Sequence, residues 1–441
     1  MTMLRKALLG GAALAVMTTG AAADELSTLK AQLADLQNQV NQIQSQPAQA
    51  PAGSSFLRYE RGLGGNTWGV DAVKDQANAN DNSGFTVAIT PVADLPAPVA
   101  EITVYGYVAG HISYDFDENH GVANSFSKYS TDDLGANTGD HISLTAKQSR
   151  FGIRSKIYTA IGQIRTQIEG DFLSGGRSGS TLFRARHLVG HWDMTPNWTL
   201  TVGQTWFTAA LLPIGVSTVD FYGSLLTYSR APQIRLGYAD GPLSWAVAIE
   251  NPSLDTTTNM PNIASFVQYD IAGGHQIILT GEVADWNGRG ATAFHNDELA
   301  WAVQVGANFN IADVTTLTAG FGYGEGLLDQ KFMFGLLDNG AAGVSVDANN
   351  DPLETMAFLV GLSFNLSETT SFNTMFSYAE NVDSAPQAAQ LEKVYKVHAN
   401  ILWQPVKQMR MGWEVIWAQS EDQAGVEEDG VRATFGTWFF F

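Results

Sequence analysis

From about residue 101 to the end of the chain, apolar and polar side chains take turns. The last stretch shows it most plainly. Val431, Ala433, Phe435, Thr437, Phe439 and Phe441 form one set, and Arg432, Thr434, Gly436, Trp438 and Phe440 form the other. Successive strand residues point to opposite faces, so one face is apolar and the other holds the charge. Such a strand is an aggregation hazard at an edge in water. It is stable where it closes a barrel in lipid.

Sixteen segments read this way: about 101–116, 141–159, 161–173, 181–194, 197–207, 230–239, 243–250, 262–270, 274–286, 297–310, 314–326, 353–366, 369–381, 390–404, 407–420 and 428–441. The joins after even-numbered segments are short, as at Met194-Thr195-Pro196, Asp240-Gly241-Pro242 and Ala272-Gly273. The joins after odd-numbered segments are mostly longer, as at 117–140, 208–229 and 327–352. An even strand count with short turns at one end and long loops at the other marks a bacterial outer-membrane barrel. The predicted fold is all-β and transmembrane, a sixteen-stranded antiparallel outer-membrane β-barrel over 101–441.

The faces predict the interior. Phe151, Ile153 and Ile157 alternate with Arg150 and Arg154; Ile164, Thr166, Ile168 and Phe172 alternate with Arg165, Gln167, Glu169 and Asp171. Ala185, His187 and Val189 are expected on the lipid face opposite Arg184 and Arg186, and Ile234 and Leu236 opposite Arg235. An Arg facing lipid at mid-bilayer costs roughly 2–4 kcal/mol. Six of them (Arg150, Arg154, Arg165, Arg184, Arg186 and Arg235) on the wrong side would cost roughly 12–24 kcal/mol, more than a typical net stability. They are predicted to form a basic patch on one wall of a polar, water-filled lumen. Two readings remain open for it: an electrostatic brace, with Glu169, Asp171, Glu250 and Glu282 as partners, or an anion-favouring pore wall.

The segment 208–229 is long and largely apolar, with Asp220 its only acid. An exposed outer loop should be polar, so this one is predicted to fold into the barrel opposite the arginines, with contact to a neighbouring subunit as the other reading.

Ahead of the barrel the pattern changes. Met1 to Ala23 reads as a signal peptide, with Arg5 and Lys6 before a short apolar run and Ala21-Ala22-Ala23 at the cleavage site. Leu26, Leu29, Leu33, Leu36, Val40 and Ile43 keep the 3, 4 spacing of a heptad seam, which predicts an α-helical coiled coil over 24–46 in the periplasm. Residues 47–100 are rich in Ala, Gly, Asn and Pro and read as a periplasmic linker, a plug or an extended segment, with a short strand near Phe85 to Thr90.

Composition narrows the picture. Charged residues are only 15% of the 441, yet no long apolar run follows the N-terminus, so no transmembrane helix is expected. The formal net charge of −20, and −22 once Arg5 and Lys6 are removed, argues against nucleic acid. With no Cys there is no disulfide, thiolate metal site or N-terminal lipoprotein anchor.

The stretches Arg150-Phe151-Gly152-Ile153-Arg154, Phe183-Arg184-Ala185-Arg186-His187 and Gly203-Gln204-Thr205-Trp206, with the Leu/Gln heptads and the Pro/Ala linker, resemble the DcaP-like trimeric porins. That resemblance implies a homotrimer and passive uptake of small anionic, dicarboxylate-like molecules. It implies a constriction lined by Arg150, Arg154, Arg165, Arg184 and Arg186, with Arg230 and Arg235 weaker matches, in an outer-membrane protein with no cofactor. Expected partners are membrane lipid, lipopolysaccharide and the barrel-assembly machinery, for which Phe439 and Phe441 resemble the recognition signal. A sugar-selective porin with Tyr105, Tyr107 and Trp438 along its track, a non-conducting tethering barrel and a hydrolase are the other readings. The hydrolase is disfavoured because no nucleophile elbow is present and His111 and Ser113 read as lumen lining. Asp347-Ala348-Asn349-Asn350-Asp351 resembles the start of a calcium loop but lacks the required Gly and Glu.

Overall fold

The structure is a computed structural model, and it describes residues 55–61, 85–91, 99–116, 139–174, 182–211, 216–220, 230–252, 260–285, 299–312, 314–327, 337, 352–382 and 391–441. The signal peptide, the heptad seam and the Asp347–Asp351 stretch lie outside these residues.

Two strands fall in the region read as linker: β1 (Ser55–Arg61) and β2 (Phe85–Pro91). The barrel begins with β3 (Ala100–Asp115), β4 (His141–Thr145) and β5 (Arg150–Thr159). It continues with β6 (Gly162–Ser174), β7 (Leu182–Asp193), β8 (Trp198–Trp206), β9 (Arg230–Asp240) and β10 (Leu243–Glu250). Then come β11 (Asn262–Ile271), β12 (His275–Asp285), β13 (Leu299–Ala312), β14 (Thr315–Glu325) and β15 (Glu354–Asn365). It ends with β16 (Thr370–Asn381), β17 (Leu391–Val406), β18 (Met409–Asp422) and β19 (Glu427–Phe440).

Each strand from β5 to β19 pairs antiparallel with the next, and β19 pairs with β3. β4 and β5 both lie against β3 and form one broken wall strand, so the closed ring has sixteen. Closure leaves no backbone edge in hydrocarbon, where an unpaired N–H or C=O costs several kcal/mol. The connections at one rim have two to four residues, and those at the other rim are longer in every case but the last. Gly241, Gly273 and Gly274 sit in these short turns with φ of 56°, 92° and 78°, the left-handed region that L side chains rarely adopt.

β2 continues the lane of β19. β19 covers Tyr107 to Asp115 of β3, and β2 covers Ala100 to Val104 below the end of the chain. The short strand expected near Phe85 is therefore part of the barrel wall, and β1 pairs with it.

The two faces differ in kind. The outward side chains are exposed and apolar, among them Val303, Val305, Phe321, Trp413 and Phe439. The inward ones are buried and mixed, with Gln304, Asn373, Lys396, Asn400, Glu414 and Arg432 at 3% exposure or less. One phase prediction fails. Between β6 and β7 the register shifts at Glu169/Gly170, where Glu169 opposes His187 but Gly170 opposes Ala185. The extra residue is a β-bulge, which resets the alternation. Arg184, Arg186, His187 and Val189 all turn inward, and Leu188 takes the lipid side.

Candidate pore wall and inward loop

The predicted arginines stand on neighbouring strands, in tiers set by the ladder register. One tier runs Tyr107, Arg150, Asp171, Arg184 across β3, β5, β6 and β7. Arg184 donates to both oxygens of Asp171 at 2.9 and 2.7 Å. Below it Glu169 accepts from Arg186 Nε at 2.8 Å and from the Tyr105 hydroxyl at 2.8 Å, with Arg150 Nε 3.5 Å away. Arg186 also reaches Asp171 at 2.9 Å, so the two carboxylates are bridged by one guanidinium. Arg154 lies over the Tyr105 ring at 4.5 Å and Arg150 over Tyr107 at 5.4 Å.

A lower tier runs Arg165, His191, Thr201, Arg235 across β6 to β9, each at 4% exposure or less. Arg165 holds Asp193 in a two-bond fork, 2.7 Å each. Arg230 joins the wall through Trp206, whose ring carries Arg230 at 4.5 Å and Arg186 at 5.2 Å. The brace reading and the basic-wall reading thus describe the same residues. Strands β5 to β9 carry eight cations against four acids, whereas β3 and β10 to β19 carry four cations against sixteen acids. The pairing fixes the arginines in place and leaves this wall positive in a barrel that is otherwise acidic.

The described parts of the segment after β8 lie inside. Thr208 N–H donates to Glu250 Oε1 at 2.7 Å, and its hydroxyl to Gln233 at 3.2 Å. Gln304 donates to the Ala209 carbonyl at 3.0 Å and Asn400 to the Ser217 carbonyl at 2.8 Å. Val219 and Asp220 N–H donate to the two oxygens of Glu414 at 3.1 and 2.8 Å. These partners are inward residues of β9, β10, β13, β17 and β18, so the described residues 208–211 and 216–220 lie along the inner face of the barrel. The lining there is small and apolar, with Ala246, Ala264, Ala300, Ala302 and Ala357 packed around Ala209, Leu211 and Val216. A Cβ at Gly361 would overlap Val216, and one at Gly412 would press on Leu402 and Val219. Small residues make the recess, and the loop fills it opposite the arginine strands.

A family model described as DcaP outer membrane protein matches residues 70–438. The chain belongs to this family. The outer membrane channel DcaP of Acinetobacter baumannii has the same fold, with a TM-score of 0.66 at 21% identity over 78% of this chain and 97% of that one. An anion-selective porin from Comamonas acidovorans aligns at 0.53 and 14% over 78% and 100%. Outer-membrane expressed OmpT of Vibrio cholerae aligns at 0.54 and 12% over 79% and 99%. No curated protein matches the chain.

In this DcaP-family barrel, Arg150, Arg154, Arg184 and Arg186 cluster around Glu169 and Asp171, and Arg165 and Arg235 sit in the tier below. Asp220 is placed elsewhere, buried at the barrel closure with Arg432 Nη1 of β19 3.9 Å from its carboxylate. Ser113 bonds to Thr434 at 3.0 Å, and His111 packs edge-on against Trp438, as a lining rather than a catalytic pair would. Three inward features are not evident from the sequence pattern. The bulge hides His187. Lys147 and Gln148, at 2% and 1% exposure, occupy the break between β4 and β5. Trp206, which carries two arginines, stands out only as part of a motif.

Proposed function

We propose that the protein is a passive diffusion channel of the outer membrane that favours small anionic organic solutes of the dicarboxylate type. The observation that carries this is the tiered arginine wall of β5 to β9, opposite a loop bonded to the inside of the barrel. Rings of fixed Arg in a low-dielectric wall lower the energy of an anion and raise that of a cation. The porin of Comamonas acidovorans that shares this fold is anion-selective, which supports the same reading. The short turns face the periplasm, the long loops face outward, and Phe439 and Phe441 serve as the assembly signal. The functional unit is a homotrimer, consistent with the trimer form of the Vibrio cholerae OmpT barrel. The heptads of 24–46 join the copies below the membrane.

The test is the reversal potential in a salt gradient across a planar bilayer, for the native protein and for Arg154→Ala combined with Arg165→Ala. Anion preference that falls in the double variant is expected. Cation preference in the native channel, or no change on mutation, would overturn the proposal.

A further inference from the structure

A cavity of about 450 Å³ opens at the short-turn rim, on the side of the barrel away from β5 to β9. Ser217 of the inward loop lines it together with Ser371, Leu402, Gln404, Lys407 and Arg410 of the barrel. Its volume falls within the roughly 300–1,000 Å³ of small-molecule sites. The lining is polar by chemistry, with serine and threonine hydroxyls around one guanidinium.

Arg410 is held from two directions. Its Nε and Nη2 donate to Gln404 Oε1 at 3.3 and 3.2 Å, and its guanidinium lies over the Phe440 ring at 5.7 Å. Phe440 in turn packs on Tyr107 at 5.6 Å, and Tyr107 carries Arg150 at 5.4 Å. One aromatic contact thus spans the β19–β3 closure and links Arg410 to the arginine wall. Two cations, Arg410 and Lys407, face the cavity against one acid, Glu368, which is exposed at the rim. The Nε–Nη2 fork of Arg410 rests on the neutral oxygen of Gln404, and a carboxylate accepts from such a fork more strongly than an amide does. Among the described residues that line the cavity there is no aromatic ring to offer its face to a sugar.

We propose that this cavity is a second binding station for small carboxylates, with Arg410 as its cation and the hydroxyl of Ser217 as a further contact. It deepens the channel reading above, on which it rests for the solute's route. A carboxylate leaving the β5 to β9 wall would meet a further fixed positive charge before the periplasm. Since Ser217 belongs to the inward loop, an occupant would also touch the element that narrows the lumen.

The chain has no Cys, so Ser371→Cys places a single thiol in the cavity. The folded barrel in detergent is treated with a small neutral thiosulfonate, with succinate or its uncharged diamide present. Succinate is expected to slow modification at least tenfold and the diamide to leave it unchanged. Adding Arg410→Gln is expected to abolish the protection; adding Arg154→Gln is expected to preserve it. A thiol that does not react in the folded barrel, absence of protection by succinate, protection that survives Arg410→Gln, or protection lost with Arg154→Gln would each overturn the station. Heat-shifted gel mobility reports folding. Should Arg410→Gln not fold, Arg410→Lys decides instead, since loss of the fork is expected to weaken protection and unchanged protection would overturn it. The assay reads binding without conduction. A closed channel that still shows Arg410-dependent protection would refute the channel reading and leave the station standing.

Discussion

Arg186 and His187 are consecutive in β7, yet both side chains are buried on the inner wall, at 0% and 4% exposure. The bulge that makes this possible puts Arg186 between Glu169 and Asp171 and His187 Nδ1 3.0 Å from Thr205 Oγ1. Removing one partner of a buried charge network costs about 3–5 kcal/mol. Arg186→Leu is therefore expected to lower the denaturant midpoint of the barrel markedly. Arg186→Lys, which keeps the charge but not the two-way fork, should fall between it and the native protein. Urea titration followed by gel mobility measures both, and a native midpoint for Arg186→Leu would refute the bridging role.

Arg154 and Arg165 differ in how far their charge is spent locally. Arg165 is locked to Asp193 by two bonds of 2.7 Å, a pair with little net charge. Arg154 lies over the Tyr105 ring and shares the Glu169 carboxylate with Arg150 and Arg186, so that acid is divided among them. A unit charge at 4 Å in water is worth ~1 kcal/mol, or about a fivefold change in ion preference. Arg154→Gln is expected to lower the anion-to-cation permeability ratio by about that factor, and Arg165→Gln by much less. Reversal potentials of the two single variants decide it; equal shifts would contradict the distinction.

The strand sequence and both faces were legible because lipid enforces strict alternation and tolerates no misplaced Arg. The lapses were local: the bulge in β7, and the break between β4 and β5 within 141–159. A bulge adds a residue without changing composition, so nothing in Arg184-Ala185-Arg186-His187 signals that the phase resets. The inward loop was legible from its apolar character. Its anchors were not, since Glu414 and Asn400 lie 195 and 183 positions from the loop residues they hold. The alanines and glycines that make room for it look like ordinary strand filler until the loop is seen against them.

Glu414 is the strongest of those anchors. It accepts from Val219 N–H, Asp220 N–H and Asn400 Nδ2, the last at 2.8 Å. Hydrogen bonds to a charged group are worth about 1.5–3 kcal/mol each. Glu414→Ala is expected to free the 216–220 end of the loop, raise single-channel conductance and noise, and open the loop to protease. Glu421→Ala, at the long-loop end of the same strand, should leave all three unchanged. Unaltered conductance and protease resistance in Glu414→Ala would show that the loop is held by packing alone.

The closure of the barrel is pinned by Asp115 and Arg432, which come from its first and last strands. Arg432 donates through Nε and Nη2 to the two oxygens of Asp115 at 2.5 and 2.9 Å, with both side chains at 0% exposure. Asp220 also lies 3.9 Å from Arg432 Nη1. The two ends of the pair are therefore not equivalent. Asp115→Asn keeps a hydrogen-bonding partner of the same shape and leaves Arg432 near a second carboxylate. Arg432→Met leaves Asp115 and Asp220 buried in an acidic half of the barrel, with the cation between them gone. The cost of the second change is expected to reach about 3–5 kcal/mol, and the cost of the first to be clearly smaller. Because β3 and β19 meet only when the ring closes, Arg432→Met should also slow refolding into detergent micelles. Urea midpoints and refolding rates of the two variants check the order. Asp115→Asn proving the more damaging would show that Asp220 gives Arg432 no support.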